Sequence, residues 1–285
     1  HRSDMEPKVS LGKAINFIKL SVRLVCTWPP SKHSTKWQIA VEDFSWCISI
    51  LSVLCLLIPL IFSIYEYRSD SIIMTQSMGL AGACVMIIIK TFVLRVHRKK
   101  CQLLIDEMEE FVKTCQDHEK HVLQSYVDRC WIFYAAVTIM NYLASVPVIF
   151  GPFVFPHQRM PTFAIYPFSI DSGTSMYLII FIHQSIVGFQ TSAGLTIDCQ
   201  VALMMWYAGA RIEMLAQEMK NSSCIKEFGW FVRKHQSLLF YATQVSGTMC
   251  YIALTSACVC GLSTIMGTMQ LVGDRPFIIK AQYGP

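Results

Sequence analysis

The sequence predicts an all-α fold: a polytopic transmembrane helix bundle with cytoplasmic helix extensions and its N-terminus inside. Three observations carry this. First, Trp46–Tyr65, Ile72–Ile89, Trp131–Phe150, Met176–Ile197 and Val245–Val272 contain no Asp, Glu, Lys or Arg, and each has 18 residues or more. A helix rising about 1.5 Å per residue needs about that length to cross a hydrocarbon core about 30 Å thick. Second, the chain is 53% hydrophobic and 15% charged, whereas soluble domains carry about 25% charged residues. Third, the basic residues alternate between the connections. Seven precede the first span (Arg2 to Lys36), seven lie between spans two and three (Arg95 to Arg129), and five between spans four and five (Arg211 to Lys234). The other side carries four, Arg68, Arg159, Arg275 and Lys280. Positively charged connections stay in the cytoplasm, which places the N-terminus inside and, after five crossings, Pro285 outside.

This orientation is the reverse of a G-protein-coupled receptor. Asp128-Arg129-Cys130 superficially matches the acid-Arg-aromatic triplet of that class, but it precedes a span and has Cys in third place. It reads as a basic helix-entry boundary. The net charge of +5 follows from the basic connections and gives no support to nucleic-acid binding.

The first element covers residues 1–43, a cytoplasmic segment. Leu11, Ala14, Ile15, Ile18, Val22 and Val25 recur at close to helical spacing, with Lys13, Lys19 and Arg23 between them. This reads as a basic amphipathic helix on the inner membrane surface, ended by Trp28-Pro29-Pro30. The polar, basic start has no signal-peptide pattern. Because the chain begins at His1, it reads as a fragment, a processed product or a gene-model artefact, with Met5 a candidate start.

Residues 44–272 form the bundle, with spans at about 46–65, 72–94, 131–150, 174–206 and 245–272. Pro59 and Pro147 each remove a helical hydrogen bond, and Gly79 with Ala83 permits close helix approach. Lys90, at the inner end of span two, is expected to snorkel to the headgroups, and Asp198 to be hydrated. The cytoplasmic connections carry apolar stripes, Leu104, Met108, Phe111, Val112 and Cys115 in one, Phe228, Phe231, Val232, Leu238, Leu239 and Ala242 in the other. These are membrane helices continuing into the cytosol, packing on each other or on a second subunit. Asn221-Ser222-Ser223 matches a glycosylation acceptor but faces the cytosol, so it stays unmodified. Residues 273–285 are an extracellular segment leading towards a sixth span.

The connection Gly151–Ser172 holds Pro152, Pro156, Pro161 and Pro167 with five aromatic residues, but only Arg159 and Asp171 as charges. A loop this apolar folds back over the helix ends as a lid. The spans carry polar groups, several of them near this loop: Thr75, Gln76 and Ser77 in span two, Thr138, Asn141 and Ser145 in span three, and His183, Gln184, Gln190, Thr191 and Ser192 in span four. Such groups either hydrogen-bond between helices, typically for about 0.6 kcal/mol each, or line a mostly apolar small-molecule pocket. Met74, Met78, Tyr142, Met176, Tyr177 and Phe181 would supply its walls, and Met adapts to varied ligands.

The twelve cysteines lie in spans, at span ends or in the cytoplasmic connections, where free thiols are favoured. No C-x-x-C pair, phosphate-binding loop, H-E-x-x-H or G-x-S-x-G occurs. The sequence calls for no cofactor and no metal, and it does not read as an enzyme.

Trp28-Pro29-Pro30, Tyr166-Pro167-Phe168-Ser169-Ile170-Asp171 leading into Tyr177 and Gln184, Val232-Arg233-Lys234-His235-Gln236, and Gly273-Asp274-Arg275-Pro276 followed by Lys280-Ala281-Gln282-Tyr283 occur in that order. Together with the inverted orientation they resemble the insect odorant receptor family, in its hymenopteran style, over nearly the whole chain. The resemblance implies a plasma-membrane, multi-pass, odorant-tuning subunit of olfactory sensory neurons. Such subunits assemble with an odorant co-receptor as a hetero-tetrameric, ligand-gated cation channel and bind a small volatile ligand in the outer half of the bundle. On that reading the ligand-binding residues are Met74, Met78, Asn141, Tyr142, Tyr177, Ile180 and His183, placed by helix face and depth. Family members have seven spans, so the resemblance also implies that the pore-lining last helix lies beyond Pro285 and that this chain does not conduct alone. Other readings are an insect gustatory receptor, a truncated non-conducting receptor product, and a membrane transporter.

Overall fold

A computed structural model describes residues 9–154, 158–171, 173–221 and 228–272. Met5, Phe155, Pro156, Ser172, Ser222, Ser223, Cys224 and the segment 273–285 lie outside the described residues. Every regular element among the described residues is helical: α1 (Leu11–Ser21), a 3-10 turn (Arg23–Val25), α2 (Lys36–Glu66), α3 (Ser71–Val96), α4 (Arg98–Thr114), α5 (Asp117–Val154), α6 (Ser175–Leu195), α7 (Ile197–Asn221) and α8 (Phe228–Val272).

Among the described residues, five helices are long and apolar enough to cross a membrane: α2, α3, α5, α6 with α7, and α8. Their starts are written locally. Thr35 caps α2 through a reciprocal pair, Gln38 N donating to Thr35 Oγ1 at 3.3 Å and Thr35 N to Gln38 Oε1 at 2.9 Å. Asp70 caps α3 by accepting from Ile72 N at 3.0 Å, and Thr174 caps α6 by accepting from Tyr177 N at 3.3 Å. Helices α2 and α5 run on through Pro59, Pro147 and Pro152 without ending.

Helices α6 and α7 form the centre of the bundle. Their most apolar stretch is 44% buried, against 17% for α5 and 22% for α8, whose remaining faces are left to lipid or to further protein. Helix α3 packs on α2, α6 and α8, and α5 packs on α6 and α7. Where α3 crosses α6 the helices nearly touch, since a Cβ on Gly194 would lie 2.3 Å from Ile87 Cγ1. The crossing therefore requires glycine.

Three features depart from the sequence-based expectations. The fourth span is interrupted at Thr196, where Ser192 and Thr196 turn their hydroxyls back onto helix carbonyls, Thr196 Oγ1 to Ala193 O at 2.8 Å. Helix α1 turns its apolar stripe towards protein. All six residues of its predicted stripe are buried in the main core, Val22 and Val25 completely. It also ends at Ser21, well before the prolines, and the chain then turns through left-handed Cys26 (φ 52°). Lastly, Lys90 does not snorkel. It is fully buried, and its Nζ lies 2.9 Å from Asp198 Oδ1, which also accepts from Ser256 Oγ at 2.8 Å. A buried ammonium demands such a partner, and Asp198 was the acid within reach.

The stripe in α4 is buried as predicted at Leu104 and Met108, against Tyr207 and Tyr241. The stripe at the start of α8 is only half correct. Phe231 and Leu238 are buried, whereas Phe228, Val232 and Leu239 are exposed, and the inward face continues through Tyr241, Val245, Met249 and Ile252. Adjacent apolar pairs such as Phe231-Val232 fit two helical phases, and packing selects one. No disulfide forms among the described residues. Burial in α4 pushes the Cys101 thiol up to about 11, so it stays protonated and inert.

Candidate ligand site

The site at the end of the bundle opposite the basic connections is built by the first turns of α3 and α6 under the apolar connection between α5 and α6. That connection is a lid, as its composition predicts, and four hydrogen bonds hold it. Gln184, only 1% exposed on α6, accepts from Thr162 N at 3.0 Å and donates to the Tyr166 hydroxyl at 3.2 Å. Ile165 N donates to Pro59 O of α2 at 3.1 Å. The Tyr177 hydroxyl donates to Arg159 O at 2.7 Å. Ala164 rests on the small core formed by Val53, Leu56, Leu57, Leu60, Ala81, Cys84 and Val187. An aromatic run joins the end of α5 to the start of α6: Tyr177 stacks on Phe181 at 6.4 Å, and Phe181 meets Phe153 edge-on at 5.8 Å.

The predicted ligand residues divide into two groups. Tyr177 and Ile180 lie beneath the lid on α6, Ile180 buried and Tyr177 half-buried. Met74 and Met78 are half-buried on the first turns of α3. One turn deeper, His183 brings Nε2 within 3.1 Å of Ser52 O and ties α6 to α2. Asn141 and Tyr142 are placed elsewhere. The Tyr142 hydroxyl donates to Ser21 O of α1 at 2.7 Å, at the basic end, and its ring stacks on Phe189. Asn141 offers its backbone carbonyl to Ser192 Oγ at 2.7 Å, one turn before the α6–α7 break.

Two residues outside the predicted set belong to the site. Gln184 holds the lid in register, and its amide in an otherwise apolar span was a readable signal. Thr162 is buried with its Oγ1 unpartnered among the described residues, and nothing in a proline-rich loop distinguishes it. The charged groups flanking the lid, Arg159 and Asp171, are exposed. What remains is an apolar, aromatic surface with a few neutral polar atoms, chemistry that suits an uncharged small molecule. A cleft of about 1620 Å³ lies at the basic end instead, between α1, α2, α5 and α6. Among the described residues, His118, Glu119 and Glu218 converge within 4.8 Å, and the Lys234 ammonium sits 2.6 Å from Glu218.

The fold is shared with solved structures. The insect olfactory receptor OR5 from Machilis hrabei, solved in complex with eugenol, aligns with a TM-score of 0.75 at 16% identity, over 96% of this chain and 74% of that one. A second structure of the same receptor aligns with a TM-score of 0.67 at 15% identity, over 96% and 76%. No curated protein matches the chain. A family model described as 7tm Odorant receptor matches residues 72–278, which take in the lid, α6 with its cap, and the break at Thr196. The chain is therefore a multi-pass membrane protein and belongs to the odorant receptor family.

Proposed function

We propose that this chain is the odorant-tuning subunit of a heteromeric odorant-gated cation channel, working with a co-receptor subunit in the plasma membrane of olfactory sensory neurons. The family match over residues 72–278 is the observation that carries the reading. In this reading the basic connections lie in the cytoplasm and the lidded end faces outward. A small, uncharged volatile binds beneath the lid against Tyr177, Ile180, His183, Met74 and Met78. The placement of the lid and, among the described residues, the absence of buried charge around it and of a partner for the Thr162 hydroxyl support this choice. The wider set that included Asn141 and Tyr142 would extend the ligand towards the bundle centre, and the Tyr142 bond to α1 favours the smaller set.

Voltage-clamp recording from cells expressing the complete receptor with and without the co-receptor tests the reading. A volatile-evoked cation current that requires both chains is expected. Ligand uptake without current, or current from the co-receptor alone that this chain does not alter, would sink it. Within the site, Ile180→Trp adds bulk at a buried position beneath the lid. It should abolish the response while leaving surface expression intact.

A further inference from the structure

The cleft at the basic end has a different chemistry from the lidded site. Helices α2 and α5 pack on α6 from either side, and the cleft of about 1620 Å³ is the gap between them, closed at its base by α1 and the 3-10 turn. Its wall along α5 and α6 is apolar, with Ile139, Leu143 and Phe189, of which Ile139 and Leu143 are half or more exposed. Beside Phe189 the wall is polar at Gln190 and, across on α2, Ser49, which bond to each other at 3.3 Å. Gln190 is 6% exposed and keeps its Oε1 unpartnered among the described residues. At the mouth stand two cations, Lys19 and Arg23. Arg23 is exposed and makes no ion pair among the described residues. Lys19 is half exposed, 3.8 Å from Glu109 and stacked 5.5 Å above the Trp28 ring. The acid at the mouth, Glu42, is engaged by Arg98 at 3.5 Å.

We infer that this cleft is a binding site for an anionic phospholipid of the leaflet at the basic end, its acyl chain lying along Ile139, Leu143 and Phe189 and its phosphate held by Lys19 and Arg23. Cations at the mouth and an apolar wall running inward from them follow the order of headgroup and chain along such a lipid. An apolar gap open sideways at this depth takes up hydrocarbon, since water there would find few partners. Basic groups at a membrane surface favour anionic headgroups by about fivefold each. The lipid would bridge α2 to α1 and α5, which already share one core. The inference rests on the membrane-spanning fold and not on odorant binding.

Photolabelling of the full chain in nanodiscs tests it. Phosphatidylserine and phosphatidylcholine, each with a diazirine on the acyl chain, are compared at equal mole fraction, and the adducts are mapped by mass spectrometry. Phosphatidylserine should label the α5 segment 139–146 and Phe189 about 25-fold more than phosphatidylcholine. Lys19→Glu with Arg23→Glu should abolish that preference, and Lys99→Glu with Lys100→Glu, exposed elsewhere at the same end, should leave it intact. Leu143→Trp should reduce labelling by both lipids. Where the double reversal does not fold, Arg23→Gln at its exposed position should still lower the preference about fivefold. Equal labelling by the two lipids, a preference that survives these substitutions, or displacement by inorganic phosphate would overturn the assignment.

Discussion

The two ends of the bundle are held together in different ways. At the basic end α1, α4, α5, α7 and α8 share one continuous core, with rings packed edge to edge, Tyr207 on Tyr241 at 5.5 Å. Ion pairs surround it, such as Arg95 with Asp43 at 2.8 Å. At the lidded end a smaller core joins α2, α3 and α6, and the lid is secured by single hydrogen bonds. A core spread over many side chains resists any one loss, whereas a lid on a few bonds opens when one is removed. Local openings of low cost are where a ligand enters, so this asymmetry assigns stability to one end and access to the other.

The largest effect is expected between the two ends. Lys90→Met leaves Asp198 without its ammonium and should destabilise the protein by about 3 kcal/mol, the partial exposure of Asp198 keeping this at the low end of the range for buried pairs. Thermal unfolding in detergent would read it. Lys90→Met with Asp198→Leu should recover more than half, and no recovery would mean that the pair does more than satisfy itself.

Next comes the α3–α6 crossing. Gly194→Ala drives a methyl into Ile87 and should cost about 2 kcal/mol, and Ile87→Ala should relieve most of it in the double variant. A Gly194→Ala protein as stable as the parent would show that the helices separate easily.

At the lidded end, Gln184→Ala removes both bonds to the lid and should cost about 1–2 kcal/mol. Hydrogen exchange should rise over residues 158–171 and stay unchanged at Tyr207 and Tyr241. Spread of the loss to the basic end would erase the distinction between the two regions.

The smallest effect is Tyr142→Phe, which removes one bond to Ser21 O and about 1 kcal/mol. Exchange should quicken in α1, while the odorant response keeps its half-maximal concentration. A shifted response would return Tyr142 to the ligand site.

The sequence was most legible where one physical demand acts alone. Uncharged runs of 18 residues or more gave the spans, and the α1 stripe from Leu11 to Val25 was buried residue for residue. The lid was readable because an apolar, proline-rich loop has to be covered. Legibility fell where two solutions fit one pattern. Phe231-Val232 and Leu238-Leu239 allow two helix phases, and a lone lysine near a span end either snorkels or pairs. Lys90 pairs with a residue 108 positions away, which no local spacing reveals. For the site, depth along a helix was inferable but side-chain direction was not. Tyr142 shares the polar, aromatic character of Tyr177 and points to another partner.

The length of α8 adds a mechanical consequence. A helix of 45 residues is a stiff rod of about 67 Å. Ser256, joined to Asp198, divides it into arms of about 42 Å towards Phe228 and about 24 Å towards Val272. A rod pivoting there acts as an unequal lever. A small tilt forced on the short arm near the lidded end is magnified about 1.8 times, the ratio of those two arm lengths, at the tip of the long arm beside Phe231.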